Sequence, residues 1–254
     1  DVAAVGYLLL SPDKPLCKKL AIQLQVKPEW LRKFFTFCLA LHDLGKFSRP
    51  FQGIRQGLSP DLVKKINRMP YEERHDSLGF WTWIKDVIPA LSENFPSTAF
   101  SDKEAKTWLK YCEPWVEIVT GHHGMPPKKQ VKSFNNHFQS EDSQAVLGFT
   151  QDAFKLLLDD FDFQPLLDKE LKHRLKAVSW QLAGVAVLAD WTGSNQDYFS
   201  YQSKPQDLEG YWQTALASAQ KAINVLPKPI KTRPFSSIKN LFPFIEQLTP
   251  LQEY

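Results

Sequence analysis

One segment limits the fold more than any other: LKHRLKAVSWQLAGVAVLADWTGS, residues 171–194. From Val178 to Leu188 it is apolar on nearly every side at a helical period. Such a helix is expected at the centre of a domain, enclosed by other helices. The rest of the chain supplies them. PEWLRKFFTFCLALHDLGKF opens with Pro28, keeps apolar residues at Leu31, Phe34, Phe35, Cys38 and Leu41, and is expected to be mostly buried, with Gly45 marking its end. HDSLGFWTWIKDVIPALSENF reads as a helix that Pro89 interrupts or ends. SDKEAKTWLKYCEPWVEIVTGHHG begins with Ser101 and Glu104 in a capping-box pattern, and Pro114 is expected to bend or split it. SEDSQAVLGFTQDAFKLLLDDF and PQDLEGYWQTALASAQKAINVL follow the same period, and strand signals are scarce. The fold class is all-α, a compact helical bundle.

Several function classes fall away. With 43% hydrophobic residues the chain can bury a globular core, and a net charge of +3 is too small to argue for nucleic-acid binding by itself. No apolar run approaches the roughly 20 residues of a membrane span. DVAAVGYLLL is short, opens with an acid and is a poor signal peptide. Without an initiator Met, the chain reads as beginning inside a longer one. Cys17, Cys38 and Cys112 are widely spaced and form no CxxC pair, which suits reduced core thiols and a cytoplasmic location. After Leu226 five prolines interrupt the helical period, so 1–226 reads as the domain and 227–254 as a linker.

The chemistry concentrates in a few polar residues. His42 and Asp43 sit near the end of a buried helix, where a carboxylate is costly unless paired or bound to a cation. His75 opens a helix, where a lone His is more often a cap or a surface residue. His122 and His123 stand between Gly121 and Gly124, which suits either a sharp turn aiming both rings inward or an exposed loop. Asp190 lies near the end of an apolar helix and needs either a partner or water. Each signal alone is weak. Together, several helices deliver His or Asp near one end, and imidazole with carboxylate suits Fe, Mn, Co, Ni or Zn better than Ca²⁺. Lys46, one turn beyond His42, can share that face and neutralise phosphate charge, or can simply complement the helix dipole. His137 and His173 read as structural or solvent-facing.

The order HD…H…GHHG…D, with the wording LHDLGKFSRPFQ, GHHG and LADWTGS, resembles the HD nuclease domain of the CRISPR-associated nuclease-helicase of type I systems. DVAAV and PWVEIVTGHHG look most like the type I-E branch. The resemblance covers roughly residues 1–226. It implies that Asp43 bridges two divalent transition metals, one held by His42 and Asp190, the other by His75, His122 and His123, with Fe, Mn, Ni or Co as candidates and Mg as a further one. It implies single-stranded DNA as substrate, recruitment by the RNA-guided Cascade complex, and a helicase domain beyond residue 254; Asp43 and Lys46 are the expected catalytic residues. The family pattern carries a further His just upstream of the DVA segment, and none precedes Asp1 here. The first metal site is therefore expected to be weak, partly filled or empty in this chain.

A path for DNA phosphates is expected at Arg49 and Arg55 after the HD pair and at Lys128, Lys129 and Lys132 after GHHG, with Phe47, Phe134 and Phe138 available to stack bases. The ordinary alternative is that basic loops are solvated and phenylalanines pack. Two other functions remain open: hydrolysis of nucleotides or cyclic dinucleotides, and a docking module with a degenerate site.

Overall fold

The structure is a computed structural model of the chain and describes residues 1–54, 70–90, 102–128, 130–202, 206–227, 237–247 and 249. Among them there is no β-strand. The chain divides into two compact units, 1–224 and 225–254.

The first unit is built from nine α-helices among the described residues: α1 Val2–Leu9, α2 Pro15–Leu24, α3 Pro28–Ala40, α4 Arg49–Gln52, α5 His75–Thr82, α6 Asp102–Thr120, α7 Ser140–Leu158, α8 Lys169–Gly193 and α9 Leu208–Asn224. The second unit contains a short helix, α10, at Ile238–Leu241.

The central helix is α1, not α8. Val2, Ala3, Ala4, Val5 and Gly6 are all buried, and α1 packs on α3, α8 and α9 at once. Its small residues let three helices approach closely. The segment from Val178 to Leu188 lies in α8, and it is not enclosed. Val178, Leu182, Val185 and Ala186 face α1 and its neighbours, but Trp180 is 77% exposed, and Leu188 and, one turn on, Trp191 are exposed as well. A helix packed on one flank presents only that flank to the core, whatever residues occupy the other.

Helix α3 is enclosed as its pattern requires. Pro28 occupies the first turn, where no backbone donor is needed, and the residues from Trp30 to Leu39 are buried apart from Arg32 and Lys33. Its aromatic rings join α3 to α6: Phe34 meets Trp115 edge-on at 5.2 Å and Trp30 stacks on Phe34 at 5.2 Å. Such pairs add about 0.5–1.5 kcal/mol each beyond the area they bury.

Two expectations change and a third is untested. Pro114 lies inside α6, which runs unbroken from Asp102 to Thr120. The cap expected at Ser101 falls outside the described residues. Pro89 does not cut the α5 segment abruptly. A wide turn at Trp83–Val87 precedes it, with Ile88 N–H donating five residues back to Trp83 O. Widening one turn relieves the clash between a proline ring and the carbonyl four residues earlier. Helix α7 carries a capping box from Gln139 and Asp142. Cys17, Cys38 and Cys112 are free and buried. No described helix is long and apolar enough to cross a membrane.

Candidate metal centre

Helix α3 ends at Ala40, and the chain turns through His42 and Asp43 into a tight helical turn, Leu44–Phe47. That turn lies directly against α5. Gly45 is the contact point: a Cβ there would run into the carbonyl oxygen of His75 and lie 2.7 Å from the backbone nitrogen of Gly79. Gly45 is thus required by a backbone-to-backbone approach, not as the stop signal of α3. The approach brings His75, first residue of α5, to Asp43. From the other side, α6 ends at Thr120 and its loop delivers His122 and His123. Gly124 closes the loop at φ +82°, in the left-handed region where a side chain is strained. Asp190 comes from the last turns of α8.

The structure brings all six residues together in two groups. His75, His122 and His123 form one; His42, Asp43 and Asp190 form the other; within each, the ligand atoms lie within 4.8 Å of one another. Asp43 lies between the two groups. Its Oδ2 lies 3.0 Å from His42 Nε2, while its Oδ1 lies 3.4 Å from His75 Nε2 and 3.7 Å from His122 Nε2. Asp190 Oδ1 is 3.5 Å from His42 Nε2.

Three rings are oriented from behind. His42 Nδ1 donates to Leu39 O at 2.7 Å, and His122 Nδ1 donates to Val119 O at 3.0 Å. His75 Nδ1 meets the Tyr71 hydroxyl at 2.8 Å. Each contact turns Nε2 toward the centre, and for His42 and His122 the carbonyl acceptor keeps the Nδ1 proton, the arrangement in which Nε2 can offer its lone pair to a cation. Sequence reasoning missed Tyr71, because nothing in a tyrosine four residues before a histidine marks it.

The donor set fits a metal. His42 Nε2 and Asp43 Oδ1 are buried and have no hydrogen-bond partner of proper geometry, although each lies close to opposing groups. His75 Nε2 and His123 Nε2 face each other at 3.0 Å. Two ligands of one cation, each about 2.0–2.1 Å from it, stand at about that spacing.

Electrostatics separate the two groups. Burial by itself pushes His42 down, but the Asp43 and Asp190 carboxylates outweigh it and raise its pKa to about 9. Burial pushes the Asp43 and Asp190 carboxyls up; His42 outweighs it for both, helped by Lys46 at Asp43, and both are held below the usual carboxylate range. Burial pushes His75 down to about 4 and lowers His122 as well. The His42 group therefore holds charge at neutral pH, whereas burial favours the neutral rings of His75 and His122.

Lys46 Nζ reaches Asp43 Oδ2 at 2.5 Å and is 38% exposed at the edge of the site. A cavity of about 600 Å³ opens beside His42, Asp43 and Lys46, lined further by Phe47, Phe149, Tyr201 and Tyr211.

The expected DNA contacts are largely not free. Arg49 Nε is bound to Asp142 at 2.6 Å and its Nη2 to Glu141 at 3.3 Å, which ties α4 to the start of α7. Lys128 Nζ is paired with Glu73 at 2.7 Å. Phe134 and Phe138 are buried against each other and Leu78, and Phe47 packs on Phe149, so these rings serve packing. Lys132 is exposed. Arg55 and Lys129 lie outside the described residues. His137 is half-buried and His173 exposed, away from the centre's ligand groups.

Comparison with known proteins gives this geometry a family. The model of the Cas3 HD domain matches residues 1–199. The chain belongs to the Cas3 HD-domain family. The CRISPR-associated endonuclease/helicase Cas3 of Escherichia coli (strain K12) is 25% identical over 251 residues, covering 89% of this chain and 27% of that protein. This HD domain thus spans about a quarter of the length of that relative. Among solved structures, the Thermus thermophilus Cas3 HD domain in the presence of Ni²⁺ superposes with a TM-score of 0.55 at 21% identity, covering 90% of this chain and 82% of that one. T. fusca Cas3 with AMPPNP gives a TM-score of 0.61 at 19% identity, covering 97% of this chain and 27% of that one. These structures share the fold of the HD domain described above.

Proposed function

We propose that this domain is a metal-dependent nuclease that hydrolyses phosphodiester bonds of single-stranded DNA at a two-metal His/Asp centre. The observation that carries the reading is the shared carboxylate: one oxygen of Asp43 faces His42 and the other faces His75 and His122. His42 and Asp190 would hold one cation and His75, His122 and His123 the other, with Asp43 placed to serve both. The donor set favours Fe, Mn, Ni or Co, with Mg as a weaker candidate. A pair of divalent cations supplies stabilisation of the charge that develops on the attacking and departing oxygens of a phosphate ester. The protein's own groups do the rest. The carbonyls of Leu39 and Val119 hold the His42 and His122 rings with Nδ1–H bound and Nε2 facing inward, and Tyr71 orients the His75 ring. Asp43 and Asp190 stay ionised across the working pH range. Lys46, half-exposed at the edge, swings from Asp43 to the substrate phosphate and neutralises it.

The family resemblance extends the reading. The substrate is the displaced strand of an R-loop, presented after recruitment by Cascade, and residues 227–254 form the connector to a helicase domain that feeds the strand in. Base sequence is read by the guide RNA, so the nuclease needs phosphate contacts alone.

The test is cleavage of single-stranded DNA, duplex DNA and mononucleotides by protein loaded with Mn²⁺, Ni²⁺ or Fe²⁺, beside Asp43→Ala. Cleavage confined to single strands and lost in Asp43→Ala is the expected result. A metal-loaded protein that hydrolyses mononucleotides and leaves single strands intact would overturn it. The cavity of about 600 Å³ beside Asp43 favours a second reading, hydrolysis of a nucleotide or cyclic dinucleotide, since a pocket of that size suits a small ligand. The same assay separates the two.

A further inference from the structure

The loop that carries His122 and His123 is fastened to the His75 helix at a point that touches none of the candidate ligands' ring nitrogens. Asp76, next to His75, is a carboxylate only 1% exposed. Its Oδ2 pairs with Arg74 Nη2, and its Oδ1 accepts the Ser77 backbone N–H at 2.5 Å and the Ser77 hydroxyl at 3.1 Å. With its proton committed to Asp76, the Ser77 hydroxyl oxygen is free to accept, and it accepts the Lys128 backbone N–H at 3.0 Å. One turn further along α5, Trp81 Nε1 donates to the Lys128 carbonyl at 2.9 Å. Both backbone polar groups of Lys128, its N–H and its carbonyl, are therefore held by two residues of one face of α5.

This fastening transmits directly to the rings. Pro126 and Pro127 separate Lys128 from Met125, and their fixed φ stiffens the link back to Gly124. His75 and the His122–His123 pair are thus set relative to each other by the same helix, α5, that supplies His75. A buried carboxylate is costly unless it is paired, and here its partners are the residues that make the clamp.

We infer that Asp76 and Ser77 are positioning residues that fix the spacing between His75 and the His122–His123 pair, and with it the affinity of that group for a divalent cation. The inference rests on reading that group as a metal site. Ser77 and Asp76 touch no cation; they act through the Lys128 peptide.

The experiment is calorimetric titration of Ni²⁺ into chelator-stripped wild type, His123→Ala, Ser77→Ala, Ser77→Thr and Trp81→Phe, with visible spectra of the Co²⁺ forms. His123→Ala identifies which binding event belongs to the three-histidine group. In Ser77→Ala that event weakens about 10–100-fold, as loss of an outer hydrogen bond does, while the His42 event is kept. The Co²⁺ spectrum of the three-histidine group shifts, and Ser77→Thr, which keeps the hydroxyl, restores both. Should Ser77→Ala fail to fold, Trp81→Phe keeps an aromatic ring of smaller size at that position, removes the donor to Lys128, and shows the same selective loss. Wild type that binds no Ni²⁺ sinks the metal reading itself. Wild type that binds while the folded variant binds equally well, or loses both events alike, sinks this inference alone.

Discussion

Asp43 and its neighbours decide how the centre responds to protons. His42 has its pKa raised to about 9, above its ordinary value of 6.5, so at pH 7 the metal-free ring is charged. A cation that takes Nε2 must displace that proton. His75, lowered to about 4, and His122, also lowered, are already neutral. Metal binding at pH 7 is therefore expected to release about one proton, and that proton comes from the His42 group. Below pH 9 the affinity of that group falls about tenfold per unit, while His75 and His122, already neutral at pH 7, add no such dependence there. Titrations in buffers of different ionisation enthalpy measure the number; a release of zero, or a release tied to the His75 group, contradicts the assignment. The sequence displayed these histidines and aspartates because their chemistry is their identity. It could not display the carbonyls of Leu39 and Val119 or the hydroxyl of Tyr71, since which ring nitrogen faces inward is decided by backbone geometry.

The contact between the Leu44–Phe47 turn and α5 is the element-level hinge of the site. Gly45→Ala places a methyl group into the carbonyl of His75, and neither backbone is the end of a flexible side chain. The expected cost is about 1–3 kcal/mol of stability, as for overpacking elsewhere, with His75 displaced from Asp43 and weaker binding at the three-histidine group. Thermal unfolding and Ni²⁺ titration check both halves. Arg49 belongs to the same scale. Its 15% exposed side chain joins α4 to α7 through Asp142, so Arg49→Ala is expected to cost about 1.5–3 kcal/mol of stability. DNA affinity measured well below the melting temperature should be nearly unchanged; a large loss of DNA binding with full stability would return Arg49 to the DNA path. Helix starts such as Pro28 were readable because capping and proline chemistry are local. Gly45 was misread as a stop because its true reason, a second backbone from another helix, is invisible along one chain. The pairing of Arg49 was hidden for the same reason: its partners lie more than ninety residues away.

At the scale of the whole molecule, the two ligand groups join α3, α5, α6 and α8, four elements far apart in sequence. Cations bound there stabilise the folded state and not the unfolded one, by about 2.7 kcal/mol for each site at a hundredfold excess over Kd. Chelation should lower the melting temperature, Ni²⁺ or Mn²⁺ should restore it, and Asp43→Ala, left with the three-histidine group, should respond less to both. A chelator that leaves wild type unmoved argues against structural cohesion through the centre. The all-α class was readable from period alone, but the choice of central helix was not: the run in α8 is richer in large apolar residues, whereas α1 holds the middle with small ones that let neighbours in. The uncovered flank of α8 has a practical outcome. Trp180 and Trp191 stand in water while Trp30, Trp83 and Trp115 are sealed in the interior, so indole fluorescence divides into a red-shifted, quencher-accessible part and a blue-shifted, protected part. Because Trp191 adjoins Asp190, a paramagnetic ion such as Ni²⁺ arriving at the carboxylate will dim the accessible emission first, and the protein thereby carries its own optical gauge of occupancy.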